Sequence, residues 1–466
     1  MPEYLRYTST ISDLVCRNEL LLGVPRHRFS TLEPPVGSLT ILLSLDYALP
    51  ARARMRILII TDSYYPSTKA AAKLVHDLAI EFRRRGHDVI VAAPGGSSTS
   101  NLQVSGEDGL TIARLRTGRI KGACHIMRGI QEARVSTVFW QRGGQFFYDH
   151  PCDGIVFYSP SIFFGRLVKK LKSLWGCPAY LILRDIFPQW AVDAGVLKKG
   201  LVYSFFRQKE FEQYDAADFI GVQSPANLEY FAEQSPQGRY RVEVLYNWTT
   251  LDEGSLPPSG YGRELGLQGK TVFVYGGNMG IAQDMDNILR LAIRLVDHPN
   301  IYFLLVGEGS EVSRLNEFIA GRRLQNIRIL PAVGQREYLS LLSEFDIGLI
   351  SLDKGLKTHN FPGKLLGYLY CSLPVLASIN PGNDLRAILE ESEAGLCCLN
   401  GEDEVLKQHA LALANSPALR KKMSLNGRRL LEQTFSVSSA ARQILSHFRS
   451  GVLREFDAGP AVLPAS

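Results

Sequence analysis

The sequence lacks any apolar run near the ~20 residues that a helix needs to cross a bilayer. The best candidate, residues 39–49, is short and holds Ser44 and Asp46. No clean cleavage site follows it, so a secretory leader is not expected. Cysteine is scarce, with seven in 466 residues, an odd number without metal-type spacing. Cys397 and Cys398 are adjacent in an apolar stretch. That usage fits reduced thiols in a cytoplasmic protein and argues against a disulfide framework. A strong charge bias is missing too: 52 Lys and Arg stand against 46 Asp and Glu, net +6. The excess is too weak to argue for nucleic acid, though it favours an anionic membrane surface.

What is present is ordinary globular composition, 45% hydrophobic and 21% charged, in a chain long enough for about two domains. Residues 1–54 have no sustained period and are rich in Pro, Arg and Ser. They are expected to be a poorly ordered extension, with an additional ordered subdomain as the alternative. From Met55 a pattern sets in at once. MRILIITDSYYP reads as a buried strand and loop, and Ala71, Leu74, Val75, Leu78, Ala79 and Phe82 recur at helical spacing. RRRGHD ends that helix and DVIVAAPGG is the next strand. Strands and helices alternate through DGIVFYSP, PSIFFGRLVKKLKSLWG, CPAYLILRDIFP and FFRQKEFEQYDAADFIGVQS. A second series starts after VEVLYNW, with GKTVFVYGGNMG, NIYFLLVGEGSE, NIRILPAVG, IGLISLD and FPGKLLGYLYCSLPVLASIN. Such alternation predicts parallel sheets covered on both faces. The expected fold is α/β, two Rossmann-like doubly wound domains facing a central cleft. The expected bounds are 55–245 and 246–435, with a helix over 436–449 joining the first domain and a tail over 450–466.

In such sheets ligands bind beyond the carboxyl ends of the strands. Two turns there stand out. In THNFPGKLLGYLYC, Pro362 suits the first turn of a helix. The backbone N–H groups of Gly363, Lys364 and Leu365 would meet an anion, and Lys364 adds a mobile cation. An ordinary helix start with a solvated lysine is an equal alternative. The turn YGGNMG, residues 275–280, offers three glycines after a buried strand. Asp185 follows another buried strand, beside Arg184. His76 reads as a polar-edge residue, Glu210 and Glu212 as solvated, and Asp346 as structural. No carboxylate pair stands near a turn at metal-ligand spacing.

From Met55 to about Arg449 the order of segments resembles the retaining glycosyltransferases of family 4, which have the GT-B fold. The resemblance is carried by MRILIITDSYYP, LRDIFPQW, AADFIGVQS, LYNW, YGGNMGIAQDMDNIL, LLVGEGSE, FPGKLLGYLYCSLPVLAS and NPGNDLRAILEESEAG. RDIFP, GNMGIAQ, NFPGK and NPGND are similar to a bacterial O-antigen and capsule branch that includes transferases of N-acetylfucosamine and related sugars. The resemblance implies transfer from a nucleotide-sugar, here UDP with an N-acetylated deoxyhexose, to a polyprenyl diphosphate-linked acceptor, with retention and without a metal or other cofactor. It implies donor or phosphate contacts from Gly277, Asn278, Gly280, Gln283, Gly307, Glu308, Asn360, Gly363, Lys364 and Leu365. It gives catalytic roles to Asp185 and Arg184, and puts Tyr65, Pro66 and Lys69 on a loop facing donor or acceptor.

The chain departs from the wider family at a pair of glutamates, whose positions fall on His359 and Gly367. Two other classes therefore stay open: another GT-B enzyme such as a nucleotide-sugar 2-epimerase, and a non-catalytic sugar-nucleotide-binding homologue. Residues 114–148 interleave Arg114, Arg116, Arg119, Lys121, Arg128, Arg134 and Arg142 with Val138, Phe139, Trp140, Phe146, Phe147 and Tyr148, and Lys169, Lys170 and Lys172 follow. This mixture suits a headgroup interface, so the chain is expected at the inner face of the plasma membrane, without nucleic acid. A solvated basic face with its aromatics in the core is the plainer reading.

Overall fold

The computed structural model describes residues 54–67, 69–95, 100–117, 134–159, 161–193, 197–234, 238–251, 256–356 and 362–457. Eight strands make the first sheet: β1 (Arg56–Ile60), β2 (Asp88–Gly95), β3 (Leu102–Glu107), β4 (Leu110–Arg116), β5 (Gly154–Tyr158), β6 (Ala179–Ile182), β7 (Phe219–Val222) and β8 (Val242–Val244). Their order is β3-β4-β2-β1-β5-β6-β7-β8, all parallel except β3 against β4. Six parallel strands make the second: β9 (Thr271–Gly276), β10 (Ile301–Val306), β11 (Ile327–Leu330), β12 (Ile347–Ser351), β13 (Val375–Ile379) and β14 (Gly395–Leu399), ordered β11-β10-β9-β12-β13-β14.

The central strands of each sheet are buried on both faces, as their nearly continuous apolar runs require. Side chains alternate across a strand. Accordingly Leu58 and Ile60 of β1 join one core, and Ile57 and Ile59 the other. In β9, Val272 and Val274 face one core, Phe273 and Tyr275 the other. Seven helices matter below: α1 (Ala70–Arg84), α2 (Val135–Asp149), α3 (Gly165–Trp175), α4 (Leu201–Tyr214), α5 (Gln335–Leu342), α6 (Lys364–Tyr370) and α7 (Val437–Asp457). Helix α7 returns to the first sheet, where Ala441, Ile444 and Phe448 are buried beside Ile57 and Ile59.

Strand order reverses around β1, flanked by β2 and β5, and around β9, flanked by β10 and β12. The loops leaving these two strands are therefore the switch points at which ligands sit in such sheets. They are residues 61–67 and 277–280.

The structure corrects several sequence expectations. The hairpin of β3 and β4 and the helix α2 fall outside the expected element series, which counts only parallel strands and their crossovers. In α2, Phe139 and Phe147 are fully buried, and Trp140 and Phe146 pack against the core. The aromatics read as interfacial thus belong to the interior, and Tyr148 alone of that set is strongly exposed. Arg114 is occupied, donating to the Glu107 carboxylate at 3.0 and 3.1 Å and to the Tyr65 carbonyl at 2.7 Å. Arg119, Lys121 and Arg128 lie outside the described residues. Glu210, read as solvated, is buried and bonded to Arg207 and Tyr214. Among the described residues no helix is long and apolar enough to cross a membrane.

Candidate functional site

A cavity of about 1020 Å³ opens between the two sheets. Its first-sheet wall is the loop after β1 and the start of α1, with Tyr65, Ser67, Lys69, Lys73 and Asp77. The junction adds Asn247 and Trp248, and the far wall is α5 with Gln335, Arg336 and Tyr338, then Gly363, Lys364 and Gly367 of α6. Among the described residues, Lys69, Lys73, Arg336 and Lys364 line it against the one carboxylate of Asp77, which is paired with Lys73 one helical turn away. The balance favours an anion.

Lys364 is the distinctive cation. Its ammonium lies 3.7 Å from the centroid of the Tyr275 ring, and no carboxylate among the described residues pairs with it. Burial without a counter-charge pushes its pKa down to about 7. Its stem runs beside Gly277, where an added Cβ would stand 3.9 Å from Cε. Lys364 therefore joins the cavity to the glycine turn. It is positioned by its own helix: Tyr368 of α6 accepts from the Gly276 N–H at 3.1 Å and donates to the Leu349 carbonyl at 2.9 Å.

The glycine turn is held by its backbone and its own side chains. Gln283 Oε1 accepts from Asn278 Nδ2 at 3.0 Å and from the Gly280 N–H at 3.1 Å. Met279 N–H donates to the carbonyl of Glu308 at 2.7 Å. Gly307 has φ +153°, and a Cβ there would lie 1.9 Å from the Gly277 carbonyl oxygen. Gly309 has φ +152° and would meet the Met279 oxygen at 2.3 Å. Only glycine lets these two strand-end turns cross so closely.

The sequence-predicted residues divide accordingly. Tyr65, Lys69, Gly363 and Lys364 share the cavity, and Gly277 adjoins Lys364. Asn278, Gly280 and Gln283 are bonded within their turn, and the Glu308 side chain is exposed. Pro66 is exposed and outside the cavity wall. Leu365 is a core residue, and its N–H donates to the Pro362 carbonyl at 3.0 Å. The expected three-amide cradle thus loses that donor to a tight turn. Asn360 and His359 lie outside the described residues.

Arg184 and Asp185 do not line the cavity. The Arg184 guanidinium is buried and donates to the carbonyls of Leu245 at 2.6 Å and Tyr246 at 3.4 Å. Its own carbonyl accepts from Gln223, which in turn accepts from Asn247 at 3.2 Å. Trp248, over which the guanidinium lies at 5.1 Å, donates to the Leu74 carbonyl at 3.1 Å. Arg184 so ties the β6 loop to the junction and α1, a positioning part in place of the catalytic one expected. Asp185 is half-buried, and burial raises its pKa, with Arg184 opposing.

Sequence reasoning missed Lys73, Asp77, Gln335 and Arg336. Gln335 and Arg336 follow β11 at its carboxyl end, so the strand-end rule held the signal. Asp346 accepts from the Val272 N–H at 2.9 Å, a structural role. His76 meets the Tyr64 hydroxyl at 2.8 Å.

Comparison with known proteins adds the following. Residues 263–430 match the family model Glycosyl transferases group 1. The chain is similar to the probable glycosyltransferase WbjE of Pseudomonas aeruginosa, 26% identical over 49% of this chain and 58% of that protein. It is also similar to the putative colanic acid biosynthesis glycosyl transferase WcaI of Escherichia coli K12, 25% identical over 39% of this chain and 43% of that one. The chain thus spans less than two thirds of the length of either relative. Among solved structures, sucrose-phosphate synthase from Thermosynechococcus elongatus aligns with a TM-score of 0.63 at 16% identity, over 86% of this chain and all of that one (100%). HepE from Anabaena in complex with UDP aligns with a TM-score of 0.59 at 16% identity, over 85% of this chain and 100% of that chain. The chain therefore has the GT-B fold of such enzymes, and its residues 263–430 match the group 1 glycosyl transferases.

Proposed function

We propose that the protein is a glycosyltransferase that moves a sugar from a nucleotide-sugar to a lipid-linked saccharide acceptor, in the building of a bacterial surface polysaccharide. The observation that carries this reading is Lys364, an ammonium with no carboxylate partner among the described residues, between a large inter-sheet cavity and a glycine turn at the switch point of the second sheet. A diphosphate supplies the missing counter-charge. Similarity to bacterial glycosyltransferases, one of them of colanic acid biosynthesis, supports the reaction class and the polysaccharide context. The complex of HepE with UDP supports a uridine nucleotide. An N-acetylated deoxyhexose as the sugar, and retention of its configuration, rest on resemblance.

In this reading the bond from the anomeric carbon to the leaving phosphate breaks as the bond to the acceptor oxygen forms. The leaving phosphate takes the acceptor proton. Lys364 opposes the charge growing on the leaving diphosphate, the kind of preorganised electrostatic help that lowers such barriers. Gly277, with φ +110° and no side chain, leaves room for close approach. The buried Arg184 network fixes the loop that carries Asp185; a part for that carboxylate at the sugar rests on resemblance, since Asp185 stands outside the cavity wall. No metal takes part. Gly367 on the cavity wall offers no side chain to a ribose, which leaves that contact to neighbours such as Gln335 or Arg336.

The test is acceptor-dependent release of nucleoside diphosphate by the purified chain. Release only with acceptor supports transfer. Donor binding without release favours a non-catalytic binding protein, the reading that Gly367 would favour. Acceptor-independent conversion of the donor's sugar favours an epimerase.

A further inference from the structure

Three exposed apolar side chains stand together at the start of α4. Leu201 is 92% exposed, Val202 58% and Phe205 42%. Spaced i, i+1 and i+4, they share one side of the helix. Phe205 also walls a second cavity of about 290 Å³, bounded by the starts of α2 and α3. These starts follow the carboxyl ends of their strands, on the side of the sheet where the large cavity opens.

Cations precede and follow this apolar group along the chain, and Lys198 and Lys199 stand exposed directly before it. Over residues 165–175 and 197–214 the chain carries Arg166, Lys169, Lys170, Lys172, Lys198, Lys199, Arg207 and Lys209, against only Glu210 and Glu212. Glu210 is buried, and Glu212 is engaged by both Arg166 and Lys209. Lys198, Lys199, Lys169 and Lys170 have no carboxylate partner among the described residues, and Lys170 lies over Trp140 at 3.8 Å. A protein-binding patch would be depleted of charge around its apolar centre, lysine above all. Exposed apolar side chains directly after Lys198 and Lys199, which no carboxylate among the described residues pairs, fit an anionic headgroup layer.

We propose that residues 198–205 dock the protein on an anionic bilayer. Leu201, Val202 and Phe205 enter the interface, and the lysines meet the headgroups. This places the anchor on α4, away from the α2 aromatics that the core absorbs. The inference rests on the reading that the acceptor is lipid-linked, since a membrane-docked lip beside the cleft then brings acceptor and donor together.

The experiment is co-sedimentation of the full chain with vesicles containing phosphatidylglycerol, with pure phosphatidylcholine vesicles as reference. The parent binds the anionic vesicles at low salt and is released at high salt. Lys198→Gln with Lys199→Gln weakens partitioning about 30-fold, each lysine contributing roughly fivefold. Leu201→Ser with Phe205→Ser lowers it by about tenfold or more, with unfolding temperature unchanged. Both double variants keep nucleoside diphosphate release on a water-soluble acceptor analogue, which reads the transferase assignment separately from the docking. Parent-like vesicle binding by both variants, or no binding by the parent, overturns the proposal. So does a change of sedimentation coefficient in Leu201→Ser with Phe205→Ser that leaves vesicle binding intact, which would make this face a contact between copies.

Discussion

Binding of a sugar-nucleotide to this protein should depend on pH through Lys364. Burial holds its pKa at about 7 in the free protein, with no carboxylate among the described residues beside it. A bound diphosphate beside the ammonium raises that value, so binding takes up a proton wherever the free lysine is neutral. The free lysine is charged in about 90% of molecules at pH 6 and about 10% at pH 8. Affinity should therefore fall about tenfold from pH 6 to pH 8, and about tenfold again by pH 9. A sugar-esterified diphosphate loses no proton between pH 6 and pH 8, so the ligand does not mimic the effect. Lys364→Ala removes a charge-assisted hydrogen bond worth roughly 1.5–3 kcal/mol, a loss of roughly 10- to 150-fold at pH 6. At pH 8 the gap between variant and parent narrows about tenfold, because the parent must first protonate its lysine. Calorimetric titration with a UDP-sugar in buffers of different ionisation enthalpy reads both quantities. It should give uptake of about 0.9 proton at pH 8 and about 0.1 at pH 6. The same pH slope in Lys364→Ala, or no proton uptake by the parent at pH 8, would refute the reasoning.

Other residues give further expectations. Asp185→Asn should cut turnover far more than it weakens nucleotide affinity, and steady-state kinetics beside a binding isotherm will separate the two; turnover near the parent's would make Asp185 structural. Because burial raises the Asp185 pKa, the acid limb of turnover should lie above the usual carboxylate range in the parent and vanish in the variant. Gly307→Ala should abolish nucleotide binding and lower the unfolding temperature, since its Cβ would stand 1.9 Å from the Gly277 oxygen. Arg184→Met strands the Leu245 carbonyl without its donor, at about 1–3 kcal/mol of stability, measurable by denaturant unfolding. Phe448→Ala should cost about 3–5 kcal/mol by opening the α7 contact with the first sheet.

The alternation of strands and helices was legible because parallel strands covered on both faces read as short apolar runs. MRILII and TVFVYG became β1 and β9, the two strands around which the sheets reverse. The hairpin of β3 and β4 escaped notice because it forms an edge, where Gln103, Val104 and Gly106 alternate with little apolar signal. The aromatics of α2 misled because the basic residues of that stretch lie mostly before the helix, which itself holds only Arg142 and Asp149 as charges, and an aromatic-rich helix covering a sheet shares its composition with one lying on lipid. Their difference is three-dimensional: the Phe139 ring meets Phe164 at 5.6 Å and the Phe147 ring meets Trp175 at 6.4 Å, both partners at α3. Among the site residues, Lys364 and the glycine turn were legible from local chemistry. Arg184 was not, because its partners at Leu245 and Tyr246 are some 60 positions away. Arg336 and Lys73 reach the cavity only through the facing of the two sheets.

Transfer itself is the central claim, and one measurement tests it most directly. The purified chain is incubated with a UDP-sugar labelled in its sugar, and with a polyprenyl diphosphate-linked acceptor in detergent. The label is then followed into the lipid-extractable fraction. The account predicts that labelled sugar enters that fraction in proportion to nucleoside diphosphate released, with chelator present, and that Lys364→Ala reduces both together. Label that stays wholly in the aqueous phase, across the nucleotide-sugars and lipid acceptors supplied, while the parent binds donor tightly, would contradict it.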